Sequence, residues 1–191
     1  MIGTQLLSKG FHFPKLNCIV VVDGDFTSHG YDLRAAEKNV QLYYQLTGRA
    51  GREGNVSTIY FQTYTPDDET LINISKNNPN IFLEKELLLR KEKKLPPFYK
   101  LISLIISGKN EKKVMGFSTI IKSKLPKLSN VNILGPVLAP LTKLKKKYRC
   151  RILIKYPENL FMQKYLSQSL NRIKITSGIK LEVDVDPINF S

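Results

Sequence analysis

The segment NCIVVVD over 17–23, with a continuous β-branched run ending in an acid, restricts the fold of this chain more than any other feature. Such a run, without alternating polar residues, is typical of a strand buried on both faces of a parallel sheet. Apolar residues at helical spacing follow over 33–46, with Asp32 as the expected N-cap, and a second β-rich run covers 56–64. Strand, helix and strand in this order predict a parallel βαβ unit.

The middle of the chain contains the signals that divide it into parts. Pro66-Asp67-Asp68 predicts a turn and a cap before a helix over 69–76, and the run NNPN follows at 77–80. A charged helix is predicted over 81–94, ending before Pro96-Pro97, since proline stops helices. We therefore predict a first domain over 1–80, a helical linker over 81–98 and a second domain over 99–191.

The second domain is predicted to follow the order β-α-β-β-α-β. This order is the split βαβ, or ferredoxin-like, arrangement, a scaffold that does not itself define a function. The fold class is thus α/β, with a parallel sheet first and a small ferredoxin-like α+β domain after it. The predicted strands cover 99–107, 131–138 (interrupted by Gly135-Pro136), 148–156 and 180–186, and the predicted helices cover 111–124 and 157–173.

Positive charge is concentrated in the second half of the chain. The net charge is +14, yet residues 1–85 hold 8 Lys/Arg and 9 Asp/Glu, whereas 86–191 hold 22 and 7. The natural partners of such a surface are polyanions: nucleic acid first, then an anionic membrane or an acidic peptide. Free use of lysine by an AT-rich genome is the alternative, since 23 of the 30 basic residues are Lys. Because lysine contacts phosphates rather than base edges, binding should be weakly sequence-selective.

The two cysteines, Cys18 and Cys150, are far apart and form no CxxC pair. We expect two reduced thiols, one or both in a core, and no zinc site of the usual spacing. No apolar run approaches the ~20 residues of a membrane span, and the first residues lack the layout of a signal peptide. A cytoplasmic chain without a membrane partner is expected.

The pattern Q-x-x-G-R-x-G-R begins at Gln45 and ends at Arg52. Arg49 and Arg52, three apart on a helical turn, would project from the same face and could clamp phosphate oxygens. Gly48 and Gly51 would allow the backbone to approach a ligand closely. The alternative is a surface helix end whose arginines favour the helix dipole. The full pattern is far more specific than two spaced arginines, and it favours a phosphate site.

A second candidate site is the predicted turn before the strand 148–156. Cations with an interleaved aromatic ring suit contacts to a nucleic-acid backbone combined with base stacking. A solvated hairpin tip is the alternative. The residues concerned are Lys143, Lys145, Lys146, Lys147, Tyr148, Arg149 and Arg151.

These motifs resemble those of a known family. The run from Gln45 to Arg52 is similar to motif VI of superfamily two helicases, and IGTQLLSKGFHFP over 2–14 is similar to motif V of the primosomal replication-restart helicases (the PriA, or primosomal protein N′, family). The alternative is a different helicase that shares the same lobe. The blocks LPPF and DVDP argue against that alternative. The further blocks, in family order, are DGD at 23–25, DLRAAE at 32–37, QTY at 62–64, LPPF at 95–98, LGP at 134–136, YR at 148–149 and DVDP at 184–187.

The resemblance implies that residues 1–80 form the C-terminal half of a RecA-like helicase lobe 2. It implies that Arg49 and Arg52 reach the ATP phosphates, one of them as an arginine finger, and that Gln45 positions the nucleotide or its attacking water. It also implies that Gly10 and Gly48 lie on the nucleotide side of the cleft. Thr4, Gln5 and Lys9 would contact the backbone of the tracked DNA strand.

The activity implied is that of an ATP-dependent 3′-5′ DNA helicase with ATP and Mg²⁺, and with zinc in the intact family. The implied partners are DNA forks and single strands, single-stranded-DNA-binding protein and other primosome proteins. The pattern G-x-x-x-x-G-K-[ST], an acidic Walker B strand and a cysteine cluster do not occur in these 191 residues. We therefore expect a fragment, or the product of a split or truncated gene, that is inactive alone, binds no zinc and leaves ATP and Mg²⁺ mainly to another lobe. A non-catalytic module that binds DNA or single-stranded-DNA-binding protein is the alternative.

Overall fold

The computed structural model of the chain describes residues 2–3, 17–25, 33–47, 58–76, 78–144 and 146–188; for 47, 79 and 140–144 it describes the backbone alone. The chain divides into two compact units, Met1–Glu86 and Leu87–Ser191. This division falls inside the segment 81–98 that the sequence predicts as a linker.

The first unit contains a parallel pair of strands and the helices that follow them. β1 (Cys18–Val21) precedes α1 (Ala35–Thr47), and β2 (Thr58–Phe61) precedes α2 (Glu69–Ser75), while α3 (Pro79–Glu92) crosses the division between the units. β1 and β2 pair in parallel from Cys18 opposite Thr58 to Val21 opposite Phe61. The predicted parallel strand-helix-strand order is confirmed; the finer assignment to a RecA-like lobe stays a prediction.

The prediction that the first strand is buried on both faces was wrong for β1. Val20 is 60% exposed, and Val22, just past the strand, is 70% exposed, whereas Ile19 and Val21 are half-buried. A continuous apolar run cannot show which of its faces will be covered. Among the described residues the helices cover one side, where a small core forms from Val40, Tyr43, Leu71, Ile74 and Phe82, with Val21 and Phe61 packed against it.

The turn and cap predicted at 66–68 are confirmed at the start of α2. The Asp68 carboxylate accepts hydrogen bonds from the backbone N–H groups of Thr70 (2.8 Å) and Leu71 (3.1 Å). These donors would otherwise have no partner within the helix. α2 then buries Leu71 and Ile74. The cap therefore sets where the helix begins and which of its faces meets the core.

The second unit contains a four-stranded antiparallel sheet in the order β4-β5-β3-β6. The strands and helices alternate as β-α-β-β-α-β, which is the predicted succession. The strand order places the first and third strands of the unit at the centre and the fourth and second at the edges. The elements are β3 (Tyr99–Gly108), α4 (Glu111–Lys124), β4 (Asn132–Leu144), β5 (Lys147–Pro157), α5 (Met162–Asn171) and β6 (Ile179–Val185).

The core of the second unit lies between the sheet and the helices α4 and α5. Alternate residues of β3 and β5 point into it, since side chains along a strand alternate between its faces. Cys150 is one of them, a buried free thiol whose pKa is raised by that burial, while Cys18 is free and exposed, as expected for reduced cysteines. The core residues that these strands and helices contribute are Ile102, Leu104, Ile106, Val114, Phe117, Ile121, Cys150, Ile152, Ile154, Tyr156, Met162 and Leu166.

The helix predicted over 157–173 begins later than expected. α5 starts at Met162, because Pro157 remains in β5 opposite Tyr99 and its carbonyl then accepts a hydrogen bond from the Leu160 N–H (3.1 Å). Proline suits a first helical turn, but it equally suits the end of a strand, where no N–H is required.

β4 is longer than the predicted strand 131–138 and carries the predicted interruption. Its pairing with β5 shifts register between Leu134 and Val137, on either side of Gly135-Pro136, and shifts again between Leu138 and Lys143. Gly135 has a φ of +92°, and a Cβ placed there would lie 2.6 Å from the Arg151 carbonyl oxygen. Only glycine fits this backbone position without displacing β5.

Candidate functional site

Gln45 is the one member of the predicted ATP site that falls within the described residues. Its side chain is exposed in the last turn of α1. Its proposed contact with nucleotide or water therefore stays a prediction, as do the roles of the rest. Outside the described residues lie Thr4, Gln5, Lys9, Gly10, Gly48, Arg49, Arg52 and Lys145.

The structure joins two of the sequence blocks at the carboxyl ends of β1 and β2. The Asp25 carboxylate accepts hydrogen bonds from the Thr63 hydroxyl, from the Tyr64 N–H (3.0 Å) and from the Thr65 hydroxyl (2.9 Å). These bonds, that from Thr63 first, hold the pKa of Asp25 below its ordinary value of 3.8. The sequence analysis named both blocks but not their contact, since 38 to 40 residues separate the partners.

A backbone ladder and an aromatic pair extend this junction. The Gly24 N–H donates to the Gln62 carbonyl (2.7 Å), and the Tyr43 hydroxyl donates to the Gly24 carbonyl (3.1 Å). The Tyr43 ring meets Phe61 edge-on, with 4.9 Å between centroids. Burial, then Asp23 and Asp25, raise the pKa of Tyr43, so the phenol stays protonated and remains a donor. With its oxygens engaged by three donors, Asp25 serves here as an anchor of the loop after β1.

The alternating residues of β5 separate the second candidate site into two faces. Arg149, Arg151 and Lys155 lie on one face of the sheet, and Cys150, Ile152, Ile154 and Tyr156 lie on the other, against the helices. Tyr148 packs against that helix-side core. Tyr148, which is half-buried, therefore lies on the opposite face of the sheet from the arginines that flank it in the sequence, and the predicted combination of cations and a stacking ring is not on one face.

The basic residues on the face of β5 away from the helices are partly covered. Arg151 is 8% exposed and lies opposite Ile105 of β3 and Val137 of β4. Burial, and then the charge of Arg149, lower the pKa of Arg151. The Lys155 ammonium donates to the Lys93 carbonyl (2.8 Å), and burial followed by the charge of Lys94 lowers its pKa. These side chains therefore contribute less to an open cationic surface than their sequence pattern indicates.

The hairpin between β4 and β5 holds the exposed cations. Lys146, in the turn, has a φ of 63°, and both it and Lys147 are exposed, while the backbone of Lys143 pairs with Tyr148. Lys147 lines a cleft of about 440 Å³ together with Lys109, Lys113 and Lys180. We call this the lysine cleft. The structure thus groups Lys147 with three lysines that the sequence analysis did not single out, and Arg149 and Arg151 do not line this cleft.

The fold and these surfaces define a basic α/β protein with a ferredoxin-like C-terminal unit. Residues 91–188 match the family model described as the primosomal protein N C-terminal domain. The chain belongs to the PriA family, as the sequence motifs predict.

Three relatives extend this match to the rest of the chain. Each is named replication restart protein PriA: that of Rickettsia felis is 42% identical over 190 residues, covering 100% of this chain and 29% of its own length. That of Synechocystis is 34% identical over 195 residues (99% and 23%), and that of Haemophilus influenzae is 32% identical over 196 (100% and 27%). The chain spans less than a third of the length of these curated relatives.

Within the described residues, none of the helices is both long enough and apolar enough to cross a membrane. In the same part of the chain, no three His, Cys, Asp or Glu side chains are grouped to hold a metal ion.

Proposed function

We propose that this chain is the C-terminal part of an ATP-dependent 3′-5′ DNA helicase of replication restart and primosome assembly, and that it binds branched or single-stranded DNA. The observation that carries the proposal is that the chain belongs to the PriA family and that its second unit is strongly basic. The unit Leu87–Ser191, most of which lies within the family match, holds 22 Lys/Arg and 6 Asp/Glu. Lysine-rich surfaces of this kind bind the phosphate backbone with little dependence on base sequence.

In this proposal the first unit is part of a RecA-like lobe. The parallel order β1-α1-β2, with Gln45 at the end of α1, supports it. Arg49 and Arg52 follow Gln45 four and seven residues later in the sequence and would contact ATP phosphates. Gly10 and Gly48 would lie beside the nucleotide, and Thr4, Gln5 and Lys9 would contact the tracked strand. Mg²⁺ and zinc would be bound, and most contacts to ATP would be made, by residues other than these 191.

A second function is favoured by the absence of a P-loop from the sequence. The chain could act as a non-catalytic module that holds DNA or the acidic tail of single-stranded-DNA-binding protein. The two ligands differ in how they meet the lysines. A DNA strand offers a regular row of phosphates, whereas an acidic tail offers a few carboxylates and apolar side chains.

The experiment that separates these functions compares three ligands at one salt concentration. Fluorescence anisotropy is measured for the purified chain with a labelled DNA fork, a labelled single strand and a labelled acidic peptide of matched net charge. The proposal predicts that both DNA ligands bind more tightly than the peptide. Tighter binding of the peptide would instead support the partner-binding module, and binding of none of the three would contradict both functions.

A further inference from the structure

We propose that the lysine cleft is a binding site for a backbone phosphate of a nucleic-acid strand. The inference rests on the proposed DNA-binding function and deepens it, because it assigns one site to a charge that the sequence spreads over a hundred residues. The cleft shares Lys147 with the site predicted from the sequence, but it does not include Arg149 and Arg151 of that site, whose side chains are half-buried and buried.

The cleft forms where four elements of the second unit meet. β3 ends at Gly108, α4 begins at Glu111, β5 begins at Lys147 and β6 begins at Ile179. Because the strands of the sheet are antiparallel to their neighbours, the end of β3 lies beside the starts of β5 and β6. The sheet therefore brings together lysines that are distant in sequence, Lys109 and Lys113 with Lys147 and Lys180.

The electrostatics of the cleft favour an anion. Four lysines line it, and its lining contains no carboxylate. The Lys180 ammonium pairs at 2.6 Å with Glu182, which is not among the lining residues. Within the described part of the chain, Lys109, Lys113 and Lys147 have no ion-pair partner. Three cations that share one concave surface repel one another, and a bound phosphate would relieve that repulsion.

The walls of the cleft are held by close backbone packing. A Cβ on Gly108 would lie 2.9 Å from the Gly178 carbonyl oxygen and 3.0 Å from Cγ2 of Val114, so only glycine permits this approach of β3, α4 and the turn before β6. Ser107, only 7% exposed, also lines the cleft, as does Ser177. Their hydroxyls can donate to phosphate oxygens beside the lysines. The cleft is thus bounded by closely packed backbone as well as by lysine side chains.

The lysines, rather than the helix end, would carry recognition. The Asn110 side chain accepts a hydrogen bond from the Lys113 N–H (3.0 Å), so the start of α4 is capped from within the chain. The volume of about 440 Å³ lies in the range of roughly 300–1,000 Å³ that is usual for small-ligand sites, so a phosphate with its sugar has room.

The composition of the cleft selects a strand phosphate over a free nucleotide. No aromatic or arginine side chain lines it, so nothing there would stack on a base or grip a terminal phosphate bidentately. Lysines contact phosphates as point charges and tolerate any sequence. Exposed Lys146 adjoins Lys147 at the hairpin tip and could meet the next phosphate of the same strand.

The test compares two double variants of the whole chain that lose the same charge. Lys113→Gln with Lys147→Gln removes two lysines of the cleft. Lys124→Gln with Lys127→Gln removes two exposed lysines, one at the last residue of α4 and one just past it. Lys124 lies about 17 Å along the helix from Lys113, at a rise of roughly 1.5 Å per residue. Anisotropy with a labelled single strand is recorded across a range of salt for each protein, and thermal melts verify that both variants are folded.

We expect the cleft variant to bind the strand about tenfold more weakly at low salt, with the slope of log affinity against log salt reduced by about 1. The control variant should change by less than half as much. Equal losses in the two variants would overturn the cleft and leave DNA binding intact. Absence of binding by the unmodified chain would instead overturn the proposed function, and the cleft with it.

A titration with inorganic phosphate, followed by amide NMR, provides a second readout that does not depend on DNA. The expected result is a saturable shift of amides in 107–113 and 177–180 that is lost in the Lys113→Gln, Lys147→Gln protein. Phosphate that shifts these amides without competing for the strand would show an anion site unrelated to nucleic acid and would overturn the proposal.

Discussion

At the scale of single residues, Asp25 connects two segments that follow different strands. Its carboxylate is held by Thr63, Tyr64 and Thr65, and its pKa is lowered. A lowered pKa in the folded state means that ionised Asp25 stabilises the fold at pH values above its ordinary pKa of 3.8. That contribution is lost as the pH falls below this value and through the folded pKa.

We therefore predict that Asp25→Asn lowers the unfolding midpoint near neutral pH and that the difference from the unmodified chain shrinks in acid. Asp67→Asn, at an exposed position two residues before α2, serves as the control and should have little effect. Urea unfolding measured at several pH values tests this. An effect of Asp25→Asn that stays constant from neutral to strongly acidic pH would argue against ionic anchoring.

Gly135 gives a prediction from backbone geometry. Gly135→Ala should destabilise the second unit by about 1–3 kcal/mol, because alanine is strained at a φ of +92° and its Cβ would meet the Arg151 carbonyl. Gly116→Ala is the matched control: a Cβ at this position in α4 meets nothing within 4 Å, so it should stabilise by about 0.5–1 kcal/mol. Denaturant unfolding of both variants decides, and a neutral Gly135→Ala would contradict the geometry.

Arg52 tests the proposed ATP site. The test uses a chimera in which these 191 residues replace the corresponding segment of the Rickettsia felis relative. In it, Arg52→Ala should reduce DNA-stimulated ATP hydrolysis by about 10³-fold or more. DNA binding should be spared. Arg172→Ala, at an exposed position of the second unit, is the control for loss of one positive charge. Turnover that is the same in the chimera with and without Arg52 would exclude an arginine-finger role.

At the scale of secondary-structure elements, the cap of α2 offers a direct check of local stability. Removing the Asp68 side chain by Asp68→Ala leaves the N–H groups of Thr70 and Leu71 without that acceptor, and should cost about 1 kcal/mol. Asp67→Ala removes a neighbouring carboxylate that faces solvent. Equal stability of these two variants would show that the cap contributes nothing.

Elements with their own start and stop signals could be predicted from the sequence. Helix α4 matches the predicted 111–124, since Asn110 caps it and Pro126 follows it. The alternation in β5 was likewise predictable from its spacing. Helix α5 was placed five residues too early, because Pro157 suits either a strand end or a helix start, and only its pairing with Tyr99 decides.

The candidate site was less predictable because it depends on which segments meet. The burial of β1 depends on which helices cover it, and the contacts of Asp25 join segments some 40 residues apart. The lysine cleft needs the antiparallel register that sets Lys147 beside the end of β3. Charge counts indicate a basic domain, but the local pattern favours the turn before β5 and the residues Arg149 and Arg151. In the structure, Tyr148 lies on the opposite face of the sheet from these arginines.

At the scale of the whole chain, charge is divided along the same line as structure. Met1–Glu86 holds 8 Lys/Arg and 10 Asp/Glu, and Leu87–Ser191 holds 22 and 6. A field of one sign attracts a polyanion to one unit and speeds its association. In the proposed function, the second unit would therefore supply most of the affinity for DNA.

The most direct test of this account is the salt dependence of DNA-fork binding by the purified chain, with ATP hydrolysis measured in the same samples. We predict that log affinity falls linearly with log salt, with a slope that corresponds to several phosphate contacts, and that no ATP is turned over. An affinity that does not change with salt, or DNA-dependent ATP turnover by these 191 residues alone, would contradict it.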